Sequence, residues 1–226
     1  MLNIVIRRVA GGILSGIWGA FWEKSARIFC GSFSRLVGAR IMAQRLDRAV
    51  FLDRDGTLNR DTGYVHSKEA WEWLPGVREA LARLYAHGWT LIIVSNQSGI
   101  ARGYYTEQDL HRLEAWLDDE MDRHHVKPDG WYYCPHLPAI TGPCSCRKPA
   151  PGMLLRAAHE HALSLSDSWM IGDKIGDVIA GLRAGCRAVK LGSGDLEDEK
   201  ARALGAYLAP DLNAAADLVV RLSPKQ

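Results

Sequence analysis

The stretch Ala49-Val50-Phe51-Leu52-Asp53-Arg54-Asp55-Gly56-Thr57-Leu58 decides how this chain is read. A short apolar run that ends at a turn is the pattern of a strand buried on both faces, as in a parallel sheet. Its two aspartates, one residue apart, emerge at the carboxyl end of that strand, where open α/β sheets bind their ligands. Two carboxylates so close repel each other, and a hard divalent cation with oxygen ligands relieves the repulsion. The plainer alternative is an Asx-rich turn, because Asp and Gly are also common turn residues.

Working outward, the same alternation recurs. In residues 76–87, Val77, Leu81, Leu84 and Tyr85 are spaced along one helical face, closed by Gly88. Residues 90–94 read as a second buried strand ending in Ser95-Asn96-Gln97-Ser98-Gly99. A helix follows over 106–125, with Thr106 as N-cap and a stripe of Leu110, Leu113, Leu117 and Met121. Residues 131–133 read as a third strand, 134–150 as a loop rich in Cys and Pro, and 152–161 as a helix opened by Pro151. Strands at 168–171 and 188–191 flank a helix ending at Ala184, and a last helix follows Asn213. Alternating strands and helices imply right-handed βαβ units. The expected fold is α/β, a Rossmann-like parallel sheet with helices on both faces and a Cys-rich loop after its third strand. From Asp53 to Ser95 and from Ser95 to Lys148 the chain is used up by these elements, so no separate cap domain of ~60 residues fits.

Composition bounds the function. Of 226 residues, 47% are hydrophobic and 24% charged, which excludes disordered and fibrous classes. The net charge of +2 hides an asymmetry: residues 1–48 carry eight Lys or Arg against Glu23 and Asp47, so the remainder is acidic on balance. An acidic body argues against a nucleic-acid partner. The apolar stretch 9–22 contains four glycines and is shorter than the ~20 residues needed to span a bilayer, so no stable membrane insertion is expected. Residues 1–41 are read as an N-terminal extension, either a weak amphipathic segment or sequence upstream of a true start at Met42. Residues 42–226 are read as one domain. A cytoplasmic monomer is expected.

Four strand ends present polar residues: Asp53 and Asp55; Ser95 and Asn96; Arg147 and Lys148; Asp173 and Asp177. Phosphoryl transfer needs such a set: a carboxylate to attack phosphorus, another to handle the leaving group's proton, a cation, and donors for the phosphoryl oxygens. Separately, Cys134, His136, Cys144 and Cys146 place three thiolates and an imidazole within thirteen residues. Four such donors fit a tetrahedral Zn²⁺ with no open position, so the zinc is expected to be structural. The alternative is free loop cysteines. Five cysteines in all, three of them clustered, favour metal binding and a reducing compartment over a disulfide framework. Cys30 and Cys186 lack partners of this kind.

Asp-x-Asp-Gly-Thr at 53–57, Ser95 at a later strand end, Lys148 before a helix and Gly172-Asp173-x-x-x-Asp177 resemble, in this order, the four motifs of the haloacid dehalogenase superfamily. The likeness covers residues 46–222. It implies Asp53 as the nucleophile forming an aspartyl-phosphate, Asp55 as general acid/base, and Ser95 and Lys148 as phosphoryl stabilisers. It also implies catalytic Mg²⁺ held by Asp53, Asp173 and the main chain of Asp55. Asp177 either braces the loop or touches the metal. The loop Cys-x-His…Cys-x-Cys-Arg-Lys-Pro narrows the resemblance to the heptose 1,7-bisphosphate phosphatases, and more distantly to the histidinol-phosphate phosphatases. The implied reaction removes the C7 phosphate of a sugar bisphosphate, and the heptose 1-phosphate product would feed glycoconjugate synthesis such as lipopolysaccharide core. The implied substrate contacts are Asp61, Thr62, Gly63, Tyr64, Ser95, Asn96, Gln97, Ser98, Arg147, Lys148 and Lys174. A reading from another class, a zinc-dependent binding module, gives no reason for Asp53, Asp55, Lys148 and Asp173 all to lie at strand ends.

Overall fold

The computed structural model describes residues 47–192, 194 and 196–223. The expectations for residues 1–41, for Cys30 and for a start at Met42 lie outside them. Strands β1 (Ala49–Leu52), β2 (Thr90–Asn96), β3 (Gly130–Cys134), β4 (Trp169–Gly172), β5 (Arg187–Leu191) and β6 (Tyr207–Ala209) form one sheet in the order β3-β2-β1-β4-β5-β6. Every pairing is parallel. The helices are α1 (Val77–Ala86), α2 (Glu107–Asp122), the short α3 (Pro138–Thr141), α4 (Gly152–Glu160), α5 (Ile175–Ala184), α6 (Leu196–Ala203) and α7 (Leu212–Leu222).

Period-two alternation in the strands builds a core on each face. Val50, Leu52, Leu91, Ile93, Trp169 and Ile171 are buried against α1, α2 and α7. Their neighbours Ala49, Phe51, Ile92, Val94 and Met170 are buried against α4 and α5. Sheet order then sets the site. The chain winds outward from β1 to β2 and β3, then returns to the other side of β1 with β4. The crevice at that reversal is the ligand position of a doubly wound sheet. Leu52 pairs with both Ile93 and Ile171, and Asp53 N–H donates to Ile171 O at 2.9 Å. The residues that follow all three strands therefore leave the sheet at one level.

Three elements differ from the sequence reading, one of them the single-turn α3 inside the stretch read as a loop. The sheet has six strands, not five, because β6 is only three residues long and too short to show a period. Helix α6 was unforeseen as well, since its sequence LEDEKARA is dominated by charge. Tyr85, expected on the apolar face of α1, is exposed, and Ala80 takes the buried position. At 100° per residue Tyr85 lies about 80° round from Val77, at the edge of the stripe. The N-cap of α2 is Thr106 as expected, with a full capping box to Asp109. Between β1 and β2 stand only a 3-10 turn (Lys68–Ala70) and α1, so no cap domain interrupts the sheet. Among the described residues no helix is long and apolar enough to cross a membrane.

Helix α5, which carries Lys174 and Asp177 at its start, sits directly on β4. A Cβ at Gly181 would lie 2.4 Å from Met170 Cβ. Gly181→Ala should therefore destabilise the fold: overpacking costs ~1–3 kcal/mol and the helix-propensity gain offsets only ~1 kcal/mol of it. Chemical denaturation would check this, and an unchanged or raised midpoint would count against the close packing.

Candidate active site

Asp53 leaves β1, Asp173 and Asp177 follow β4, and Lys148 arrives from the loop after β3. Asp53, Asp173 and Asp177 bring carboxylate oxygens within 4.8 Å of one another. Lys148 is buried among them: its Nζ donates to Asp53 Oδ1 at 2.6 Å and to Val94 O at 2.8 Å, and pairs with Asp177 Oδ1 at 2.6 Å. Burial and the Asp177 charge hold the Asp53 carboxyl above the usual carboxylate range, although Lys148 pulls it down. Asp173 is pushed up to about 7, first by burial and then by Asp53. Lys148 moves upward in spite of burial, because Asp177 and Asp53 both favour its charge.

This cluster fits a divalent cation. Three carboxylates face one buried ammonium, and Asp173 Oδ1 is buried with no hydrogen-bond partner. Asp177 is differently placed, since Oδ1 is held by Lys148 and Oδ2 accepts from Lys174 N–H at 3.0 Å. Its oxygens tie the start of α5 to Lys148. Gly56, at φ +87°, is needed where the chain passes Asp173: a Cβ there would lie 2.3 Å from Asp173 Oδ2.

Asp55 points elsewhere. Arg54, 1% exposed, donates to both its oxygens at 2.8–3.1 Å, Asn59 donates to Oδ1 at 3.1 Å, and Gln97 donates to Oδ2 at 3.0 Å. Every one of these partners is a donor, and together they fix the direction of the carboxyl group. Gln97 Nε2 also donates to Ser95 Oγ at 2.7 Å. Asn96 closes both ends of its amide on the main chain of Lys148, at 3.0 and 3.1 Å. Asn96 and Gln97, expected as substrate contacts, thus hold Lys148, Ser95 and Asp55 in place.

Around Asp53, Asp55, Ser95, Lys148 and Asp177 lies a cleft of about 560 Å³, within the ~300–1,000 Å³ of small-molecule sites. Of the expected contacts, Asp61, Gly63, Tyr64, Ser95, Asn96, Gln97, Ser98, Arg147, Lys148 and Lys174 line it, while Thr62 is not among the lining residues. Lys174 Nζ pairs with Asp61 Oδ2 at 3.0 Å across the cleft. Tyr105 and Glu197 line it as well and were missed, as was Arg54 behind it. The residue before the N-cap of α2 is a hydrophobic-staple position, which marks the Tyr105 ring for burial but says nothing of its hydroxyl.

Cys134, His136, Cys144 and Cys146 converge in the loop after β3. The sulfurs of Cys134, Cys144 and Cys146 lie 3.2–3.6 Å apart, and His136 Nδ1 is 3.3 Å from Cys146 Sγ and 3.6 Å from Cys134 Sγ. These lengths exclude a disulfide, ~2.05 Å. They approach the edges of a tetrahedron built on Zn–S ≈ 2.3 Å and Zn–N ≈ 2.0–2.1 Å, about 3.5–3.8 Å. Burial pushes the Cys134 thiol up, so a cation is needed to hold its thiolate form. The loop is fastened to the cleft. Arg147 donates to His136 O at 3.0 Å, and Gly152 N–H, at the start of α4, donates to Ser145 O at 3.1 Å. A Cβ at Gly152 would lie 2.3 Å from that oxygen.

Comparison with known proteins now adds to the geometry. A hydrolase-like family model (HAD-hydrolase-like) matches residues 145–215. The D-glycero-β-D-manno-heptose-1,7-bisphosphate 7-phosphatase of Pasteurella multocida is 45% identical over 165 residues, covering 70% of this chain and 90% of that protein. The chain belongs to this phosphatase family. The Escherichia coli heptose bisphosphate phosphatase is 45% identical over 141 residues, covering 60% of this chain and 74% of its own. The crystal structure of D,D-heptose 1,7-bisphosphate phosphatase from B. bronchiseptica, complexed with magnesium and phosphate, superposes with a TM-score of 0.69. It is 31% identical, covering 77% of this chain and 99% of that one.

A carboxyl held this high would make cation binding at Asp173 pH-dependent. The folded carboxyl holds its proton up to about 7, where the unfolded one releases it near 4, so metal-free stability should fall as pH rises through that window. A cation must displace the same proton. Mg²⁺ affinity, measured by calorimetry, should therefore weaken as pH is lowered below about 7, and affinity that stays flat from pH 5.5 to 8 would contradict this placement.

Proposed function

We propose that this chain hydrolyses the C7 phosphate of D-glycero-D-manno-heptose 1,7-bisphosphate through a phosphorylated Asp53. The observation that carries the reading is the buried meeting of Asp53, Asp173, Asp177 and Lys148 at the switch point of the sheet. Family membership supports the substrate. We assign the activity to the domain of residues 42–226, with residues 1–41 as an extension.

Asp53 attacks phosphorus, and Ser95 and Lys148 donate to the phosphoryl oxygens. Asp55 gives a proton to the departing C7 oxygen, which leaves as an alcohol, and then takes one from the water that hydrolyses the acyl phosphate. Asp53, Asp173 and the main chain of Asp55 would hold Mg²⁺, which offsets negative charge at the phosphoryl group when bound. Arg147 and Lys174, on opposite elements of the cleft, bind the rest of the anionic substrate. An uncapped cleft leaves specificity to these loops. Cys134, His136, Cys144 and Cys146 would hold a structural Zn²⁺ that fixes the main chain presenting Arg147 and Lys148. The chemistry needs no membrane or nucleic acid, and it suits a cytoplasmic monomer.

Phosphate release from the heptose bisphosphate, compared with histidinol phosphate and repeated with EDTA, tests the reading. The first should be much faster and should stop on chelation. Asp53→Asn should abolish turnover with the fold intact, since an amide does not attack phosphorus. Asp55→Asn should lose ~10²–10⁴-fold, the usual contribution of a general acid. Wild-type-like turnover in Asp53→Asn would sink the mechanism.

The zinc assignment makes its own prediction. Purified protein should hold one zinc per chain by metal analysis. Cys146→Ser should lower that content and cut kcat/KM by as much as ~10²-fold, the scale set by a charged clamp displaced by about 1 Å, with Mg²⁺ affinity nearly unchanged. Full activity without zinc would show that the loop is held another way.

A further inference from the structure

The polar partners of Asp55 extend beyond the catalytic set to a residue with no place in the mechanism above. Tyr105 is 6% exposed, and its hydroxyl donates to Gln97 Oε1 at 2.5 Å. Gln97 is 2% exposed, and its other end, Nε2, donates to Asp55 Oδ2 and to Ser95 Oγ. A carboxamide has an accepting and a donating end of nearly equal shape, so its direction is set by its partners. Here both ends agree. Burial pushes the Tyr105 hydroxyl up to about 12, which keeps it a donor facing Oε1. Turned over, the amide would set its oxygen against the Asp55 carboxylate.

The hydroxyl is also held from two sides. The Tyr105 ring stacks on His66, with centroids 4.7 Å apart and planes at 6°. It passes so near the turn after β2 that a Cβ at Gly99 would lie 2.1 Å from Tyr105 Cε1. Tyr104 N–H, one residue before, donates to Gly99 O at 2.9 Å.

We infer that Tyr105 is a positioning residue for proton transfer: through Gln97 it fixes where the Asp55 carboxyl points and leaves the Ser95 proton free for substrate. The inference rests on the phosphatase reading and on Asp55 as the general acid. Because Nε2 occupies Ser95 Oγ as an acceptor, the O–H of Ser95 is directed at another partner, which in the cleft is a phosphoryl oxygen. Without the Tyr105 hydroxyl, Gln97 Oε1 is left buried without that donor, and the amide gains a reason to turn.

The test combines a leaving-group comparison with a double-mutant cycle on the full chain. Tyr105→Phe keeps the ring and its stacking, so thermal stability and Mg²⁺ binding should stay near those of the wild type. On heptose 1,7-bisphosphate, whose leaving alkoxide needs a proton, kcat should fall about fivefold to tenfold, the scale of one buried hydrogen bond, with KM little changed. On para-nitrophenyl phosphate, whose leaving group departs without a proton, the loss should be distinctly smaller. In a Gln97→Leu background, Tyr105→Phe should cost nothing further, since residues acting through one another are not additive. An equal loss on both substrates, a loss that survives in the Gln97→Leu background, or no loss at all would overturn the inference. In the last case an active wild type leaves the phosphatase reading standing, whereas a wild type inactive on both substrates overturns the two together.

Discussion

A buried ammonium between two buried carboxylates is the constraint on which the rest of this molecule depends. Lys148 reaches Asp53 and Asp177 only because the loop after β3, the end of β1 and the start of α5 meet at one level of the sheet. Such a cluster does not build stability: taking the charges out of water offsets most of their attraction, while removing one partner from such a pair costs ~3–5 kcal/mol. It is best understood as a feature of function. The residual negative charge, with Asp173 Oδ1 left without a partner, readies the site for a cation, and the ammonium readies it for a phosphoryl group.

Much of this was legible in the sequence, for identifiable reasons. Buried parallel strands appear as continuous apolar runs, so β1, β2 and β4 stood out, and a charged residue after such a run lies at the ligand end of the sheet. That reasoning placed Asp53, Ser95, Lys148 and Asp173 on neighbouring strand ends, and the structure brings them together. Close Cys and His pairs on one loop made the second cluster readable in the same way, since two short spacings can share one ion.

What was not legible involves direction more than location. Nothing in Asp53-Arg54-Asp55 says that Arg54 turns back to hold Asp55, nor that Asn96 and Gln97 close their amides on neighbouring groups. Side-chain hydrogen bonds between residues distant in sequence, such as Asn96 to Lys148, leave no periodic trace. Tyr105 shows the limit most clearly: it was not singled out, and its hydroxyl reaches Gln97 only because Gly99 has no Cβ to block the ring. Helix α6 and strand β6 were lost for the opposite reason, being too polar or too short for a hydrophobic pattern.

The central claim is that Asp53 becomes phosphorylated during turnover. Acid quenching of the enzyme a few milliseconds after mixing with Mg²⁺ and substrate labelled in the C7 phosphate, followed by peptide mapping, tests it most directly. The account predicts acid-stable, alkali-labile label on the peptide containing Asp53, lost in Asp53→Asn and formed ~10²–10⁴-fold more slowly in Asp55→Asn. Rapid wild-type turnover with label on another residue, or with the Asp53 peptide unlabelled at every quench time, would contradict it.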